Sequence, residues 1–323
     1  MATPLLKVED FTMHYTTRKG EVSAVDNVSF TLHEREALGL VGESGCGKTS
    51  IAISLLKLLP ENAKILGGHI YLNGTDLVPL SEDEVRKYCW KRIAMVFQAA
   101  MNSLNPVYKV GDQIIEALET HVEILSTAAA RERVAELFQR VGLDPVMMDR
   151  YPHEFSGGMR QRAVIAMALS CHPDVIIADE PTTALDVIVQ DNILREMRRL
   201  QENLGTAMIY ISHDIAVIAE VCSRIGVMYA GRLVELADAT DIFERPLHPY
   251  TFALMSAFPS IKGPKRALTA LPGEPPDLLH PPTGCRFHPR CPRAKDVCRQ
   301  EVPRFEDFGG GHLAACWNPV EVK

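Results

Sequence analysis

With 323 residues and an ordinary apolar share of 46%, the chain is long enough for one large domain plus a smaller one, or for two domains. A formal net charge of -7 argues against a general nucleic-acid binder, which carries a basic excess. No apolar run reaches the roughly 18 to 20 residues needed to span a bilayer, and the first seven residues lack the regions of a secretory signal, so the sequence predicts a cytosolic protein without disulfides.

Short β-rich runs at 5–8 and 28–32, separated by a polar turn over 16–21, predict an antiparallel sheet. The apolar run Ala37-Leu38-Gly39-Leu40-Val41 reads as a buried strand, and 50–59 reads as a helix stopped by Pro60. Between them stands Gly42-Glu43-Ser44-Gly45-Cys46-Gly47-Lys48-Thr49, which has the spacing of a phosphate-binding loop. Glycines let the backbone approach a polyphosphate, so that its N–H groups and the positive end of the next helix, from Ser50 on, face anionic oxygens. Lys48 is expected on the outer phosphates of ATP and Thr49 on Mg²⁺.

Gly68 to Leu72 predicts a strand turning at Asn73-Gly74, and Ser81 with Glu84 a capping box on a helix running toward Trp90. Ile93 to Phe97 is a core strand. The pattern then turns helical, with Asp112 to Leu125 and Thr127 to Val141 before Gly142. This insert covers about 100–171. Val175 to Ala178 is a buried strand, and Asp186 caps a helix whose apolar residues recur every three or four positions up to Gly205. Met208 to Ser212, Ile215 to Val221 and a hairpin across Ala230-Gly231-Arg232 continue an α/β alternation that implies a largely parallel sheet. Thirteen of the 21 prolines lie from Pro246 onward, which sets an expected boundary between 1–245 and 246–323.

A phosphate loop needs carboxylates on a second strand, and Asp179-Glu180 supplies two: Asp179 for the metal, Glu180 to polarise the attacking water. The octapeptide Phe155-Ser156-Gly157-Gly158-Met159-Arg160-Gln161-Arg162 resembles the signature sequence of ABC-type ATPases, with Phe155 and Met159 in place of the usual leucine and glutamine. That resemblance implies an ABC ATPase fold with an antiparallel β subdomain, a helical insert and a small Cys/Pro-rich C-terminal extension. It also implies that Ser156, Gly157 and Gly158 close over the γ-phosphate held by a second subunit. Gln98 resembles the loop glutamine that approaches Mg²⁺ and water, and His213 the switch histidine at the γ-phosphate. Ala184-Leu185-Asp186 resembles a loop crossing the dimer interface. Tyr15 reads either as a platform for adenine or as packing beneath the β-rich region.

Leu104-Asn105-Pro106, His248-Pro249-Tyr250-Thr251 and His288-Pro289-Arg290-Cys291-Pro292 narrow the resemblance to the ATPase subunits of oligopeptide and dipeptide importers. By that analogy the chain pairs with a homologous ATPase subunit, as a hetero- or homodimer, at the cytoplasmic face of the membrane. The pair serves two transmembrane permeases fed by an extracellular binding protein, and 99–109 meets the permeases. A non-transport ABC ATPase, acting as a regulator or on nucleic acid, is the alternative; its usual coiled-coil arms or second ATPase domain are not visible.

Cys285, Cys291, Cys298 and Cys316 crowd into the end of the chain, with gaps of five, six and seventeen residues. Structural zinc normally uses pairs two to four residues apart, whereas a 4Fe-4S cluster needs four cysteines at varied spacing, and some importers that this tail resembles are thought to carry one. An iron-sulfur cluster, Zn²⁺ and four reduced thiols are the readings, with Arg286, Arg290, Arg293 and Arg299 expected to offset the charge of a centre.

Overall fold

The computed structural model describes residues 3–98, 103–122, 126–183, 185–256 and 273–321. The chain opens with a hairpin, β1 (Leu6–Thr17) and β2 (Gly20–Leu32), followed by β3 (Ala37–Val41) and α1 (Lys48–Leu55). A second hairpin, β4 (Ala63–Leu72) and β5 (Thr75–Asp76), leads through the one-turn helix α2 (Glu82–Val85) to β6 (Ile93–Val96). Helices α3 (Val110–His121), α4 (Thr127–Arg140) and α5 (Gly157–Leu169) form the insert. The alternation resumes with β7 (Val175–Asp179), α6 (Val187–Leu204), β8 (Ala207–Ser212), α7 (Ile215–Val221), β9 (Arg224–Tyr229) and β10 (Arg232–Asp238). Helices α8 (Ala239–Glu244), α9 (Pro249–Ser256) and α10 (Asp296–Gln300) precede the short strands β11 (Glu306–Asp307) and β12 (Leu313–Ala314).

A four-stranded antiparallel sheet, β2-β1-β4-β5, lies beside an eight-stranded sheet, β11-β12-β10-β9-β3-β8-β7-β6. In the larger sheet β9, β3, β8, β7 and β6 are parallel, which makes them strands covered on both faces and explains their unbroken apolar runs. Val175 and Ile177 face the smaller sheet and α1, while Ile176 and Ala178 face the helical insert and α6. The tail adds to this sheet: Glu235 and Leu236 of β10 pair with Ala314 and Leu313 of β12, and β11 pairs with β12.

Several elements differ in length from their sequence signals. The hairpin β1–β2 is far longer than the two short runs, because register shifts around Val8, Phe11 and Met13, with Asp10 at φ 46°, break the period-two alternation. The capping box at Ser81 forms, with Glu84 accepting the Ser81 N–H at 2.8 Å, yet the helix lasts one turn. Trp90, at φ 66°, turns the chain instead toward β6. Helix α1 stops at Leu55, before Pro60, because Lys57 adopts φ 54° and Leu58 N–H returns to the Ile53 carbonyl. Leu125, the expected end of α3, lies outside the described residues. Among the described residues no helix is long and apolar enough to cross a membrane.

Candidate nucleotide site

Strand β3 is buried throughout and delivers the chain to Gly42, where φ is 150°. A Cβ there would stand 2.2 Å from the Met228 carbonyl oxygen, and one at Gly47, φ 104°, would stand 2.3 Å from the Ala24 carbonyl oxygen. Only glycine fits either place, so the loop is pressed onto β9 and β2. Gly47 also caps α1 without a side-chain acceptor, leaving the first-turn amides and the positive helix end toward the loop. Lys48 is buried, and its Nζ donates to the carbonyls of Gly42 at 2.8 Å and Glu43 at 3.1 Å. Ser44, Gly45 and Thr49 are exposed along the mouth of the loop, while Cys46 is buried, its thiol pKa raised by desolvation against the opposing pull of Lys48. Tyr15 sits half-buried against the core, its Oη 3.2 Å from Ser50 Oγ.

Strand β7 ends opposite the loop. Thr49 Oγ1 donates to Asp179 Oδ2 at 2.9 Å, and the other oxygen of this buried carboxylate, Oδ1, has no partner. Burial raises the Asp179 pKa, and the charge of Glu180 adds to the rise. A hydroxyl beside a carboxylate with a spare buried oxygen is a donor set that fits Mg²⁺, which takes oxygen ligands. Glu180 follows at φ 47°, with its N–H on the Ile211 carbonyl at 2.9 Å. Its carboxylate accepts Gln98 Nε2 at 2.9 Å and Thr183 Oγ1 at 2.9 Å, and lies 3.1 Å from His213 Nδ1. Burial pushes the Glu180 pKa up, but the hydrogen bonds from His213 and Thr183 outweigh it and hold the acid below the usual range. Elements β6, β7 and β8 therefore bring Gln98, Glu180 and His213 to one spot.

Ser156, Gly157 and Gly158 are elsewhere. Ser156 caps α5 by accepting the Met159 N–H at 3.3 Å, and α5 packs against α3, α4, α6 and β6, whereas α1 packs on β2 and β7. Gly158 passes α6 closely: a Cβ would meet Val189 Cγ1 at 2.8 Å. Asp186 caps α6 by accepting the Val189 N–H at 3.0 Å, beside Val187 and Ile188, which are 80% and 75% exposed. Ala184 lies outside the described residues.

The sequence reading missed two neighbours of the loop. Arg290 grips Glu43 with two hydrogen bonds of 2.7 and 3.0 Å, and Tyr250 Oη accepts the Glu43 N–H at 2.9 Å. Tyr229, Tyr250 and Phe287 pack around this contact with ring centroids 4.7 to 5.4 Å apart. No local signal could have found it, since Arg290 stands 247 positions from Glu43.

Residues 25–183 match the family described as ABC transporter, and 234–298 match the oligopeptide/dipeptide transporter C-terminal region. The chain is 48% identical to a protein of Sinorhizobium fredii named "Probable peptide ABC transporter ATP-binding protein y4tR", over 98% of this chain and 96% of that one. It is 44% identical to the oligopeptide transport ATP-binding protein OppD of Escherichia coli, over 99% of this chain and 95% of that one. The chain belongs to the ABC transporter ATP-binding family. Among solved structures, the dimeric post-hydrolysis ATP-binding cassette MJ0796 bound to ADP and Pi is similar at a TM-score of 0.65 and 26% identity, covering 72% of this chain and 98% of that one.

The tail of this ABC ATPase corrects one expectation. Two of the arginines bond away from the cysteines, Arg286 to Asp26, Ser23 Oγ and the Ala230 carbonyl and Arg290 to Glu43, whereas Arg293 reaches the Pro319 carbonyl at 3.2 Å and its charge also acts on Cys291. Carboxylates and carbonyls attract a guanidinium more strongly than neutral thiols do. The four thiols do share a neighbourhood, because Cys316 is influenced by Cys285, Cys291 and Cys298. Burial pushes Cys285 up to about 11 and Cys316 up to about 12. Cys298 Sγ accepts the Lys295 N–H at 3.4 Å and Cys316 Sγ the Asn318 N–H at 3.3 Å. Among the described residues no three His, Cys, Asp or Glu side chains come together closely enough to hold a metal ion, so the structure lends no support to a zinc or iron-sulfur centre.

Proposed function

We propose that this chain is the ATP-hydrolysing subunit of an importer of peptides or related solutes, working as a closing dimer of two ATPase subunits. The observation that carries this reading is the meeting of Gln98, Glu180 and His213 on one carboxylate, beside Thr49 and Asp179. Loop amides from 42–50 and Lys48 bind the polyphosphate, and Tyr15 stacks on adenine. Thr49, Asp179 and Gln98 would hold Mg²⁺, which would neutralise phosphate charge when bound. Glu180 takes the proton of the attacking water, and His213 holds Glu180 and the γ-phosphate oxygens in register. Ser156, Gly157 and Gly158 complete the site of the partner subunit, since α5 and α1 pack on different neighbours within one chain.

The importer reading draws on relatives named for peptide, oligopeptide and dipeptide transport. Residues 1–245 then form the ATPase domain, with the helical subdomain at about 100–171, and 246–323 the importer-type extension. Two permeases would bind at 99–109; 99–102 lie outside the described residues, and beyond them Val107 and Tyr108 are 70% and 58% exposed. This places the chain on the cytoplasmic face, peripheral to the membrane. Purification from membranes through a tag on this chain tests it. Recovery of two permeases and a second ATPase, with hydrolysis raised by a solute-binding protein, is expected; a chain recovered without permeases overturns the reading.

For the tail, the proposal is that Cys285, Cys291, Cys298 and Cys316 ligate a 4Fe-4S cluster. What motivates it is the sequence: four cysteines crowded into the tail at varied spacing. Zn²⁺ is the weaker choice, because a single ion about 2.3 Å from each sulfur needs the thiols closer together than a cluster does. Anaerobic purification with iron, sulfide and zinc analysis decides: about four irons and four sulfides per chain are expected, and a folded tail with neither metal ends the proposal.

A further inference from the structure

Glu43 is the second residue of the phosphate loop, and all three of its polar groups are engaged. Its carbonyl accepts Lys48 Nζ at 3.1 Å, its N–H donates to Tyr250 Oη at 2.9 Å, and its carboxylate takes both arms of Arg290. Arg290 also donates to Tyr229 Oη at 3.3 Å and lies over that ring. The Arg290 side chain is 6% exposed and Tyr250 is fully buried. Both come from the tail, outside the segment 25–183 that matches the ABC transporter family.

An ion pair that buries its guanidinium is a poor source of stability, because desolvating that charge offsets the attraction to the half-buried carboxylate, so stability alone does not account for this one. Its location does. A carboxylate in a loop built to receive a polyphosphate repels its ligand unless a cation compensates it. Moreover, Lys48 must leave the Gly42 and Glu43 carbonyls to reach phosphate oxygens; the Cys46 N–H then stays on the Glu43 carbonyl at 3.2 Å, and the anchors on Glu43 that come from outside the loop are Tyr250 and Arg290. We infer that Arg290 and Tyr250 are positioning residues for the nucleotide: Arg290 neutralises Glu43 and holds its carboxylate to the tail side, and Tyr250 pins its amide, so that the tail sets the loop's affinity for ATP. The inference rests on the reading of 42–49 as the polyphosphate loop.

The test uses the full-length chain, with MgATP and MgADP affinities from titration and kcat and KM from phosphate release. Arg290→Met is expected to weaken MgATP about tenfold, with a smaller loss for MgADP, which carries less charge. Glu43→Gln alone removes the negative charge and leaves the Arg290 cation uncompensated beside the loop, so it should tighten MgATP and not weaken it. The double variant Arg290→Met with Glu43→Gln should recover most of the lost affinity, because the uncompensated charge is gone. Tyr250→Phe should raise KM and leave kcat in place. Native MgATP affinity in Arg290→Met, or a double variant as weak as the single, overturns the inference. If Arg290→Met does not fold, Arg290→Gln, which removes the charge but can still hydrogen-bond the Glu43 carboxylate, enters the same comparison. Lys48→Ala is the control for the underlying reading: unchanged affinity there would refute the loop itself, whereas a weakened Lys48→Ala beside a native Arg290→Met refutes only the role of the tail.

Discussion

Thr49 donates to Asp179 at 2.9 Å, joining two residues 130 positions apart and fastening the start of α1 to the end of β7. The second oxygen of Asp179 is left buried and unpartnered, an arrangement that costs free energy unless a cation or water comes to it. Around this pair stand the groups whose roles can be separated by substitution.

Glu180→Gln keeps the shape and two of the acceptor contacts but cannot take a proton. Turnover should fall by roughly 10²- to 10⁴-fold while ATP still binds, and ATP-bound dimers should accumulate on size exclusion. Phosphate release at the native rate would show that Glu180 is not the base.

Lys48→Ala removes the ammonium that now bridges the Gly42 and Glu43 carbonyls. ATP affinity should drop by about tenfold or more. His213→Ala should instead preserve affinity and slow hydrolysis, since its 3.1 Å contact is to Glu180. Equal losses of ADP and ATP affinity in His213→Ala would count against that division.

Ser156→Ala removes the cap of α5, at a stability cost of about 1 kcal/mol. ATP binding to the isolated subunit should be unaffected, whereas ATP-driven dimerisation should weaken. Light scattering with the hydrolysis-blocked chain reads this, and undiminished dimerisation would remove Ser156 from the interface.

Arg232 and Arg286 share one carboxylate, Asp26. Arg286→Met leaves Asp26 still paired with Arg232, while Asp26→Asn leaves two guanidinium groups side by side, one of them buried. Urea unfolding should therefore show the larger loss for Asp26→Asn, about 3 kcal/mol or more. The reverse order would mean that Asp26 is not what balances the pair.

His248 is fully buried, and burial lowers its pKa to about 4 against the upward pull of Glu235. An imidazole held below its unfolded value of 6.5 adds stability above pH 6.5 and loses it as pH falls toward 4, because the unfolded chain then binds the extra proton. Compared with His248→Asn, whose amide oxygen can still accept the Tyr250 N–H, the native chain should lose about 3 kcal/mol more between pH 7 and pH 4. Parallel stability curves would contradict this.

Local geometry was legible in the sequence wherever the cause acts within a few residues. Asn73 and Gly74, at φ 49° and 79°, make the expected turn, Asp186 caps α6 and Gly205 ends it at φ 70°, and α7 spans Ile215–Val221 as read. The strand preceding Gly42 and the one ending in Asp179 were visible because both faces of a parallel strand are buried, so the residues leading up to each are apolar. The extent of β1 was not, since its bulges interrupt the alternation that betrays a strand.

By itself the sequence determined the chemistry at each position of the site: a glycine loop ending in Lys48 and Thr49, two adjacent acids, and a serine-glycine helix start, all set by steric and capping rules that operate along the chain. Only the tertiary structure decided which of these groups meet. Gln98, Glu180 and His213 converge because three parallel strands end at one edge, and the parallel order is fixed by crossovers that no local pattern encodes. It also joined the tail to the sheet through β12 and set Arg290 on Glu43 instead of beside the cysteines next to it in sequence. A buried guanidinium goes where a carboxylate can satisfy it, and where that carboxylate lies is a property of the whole fold.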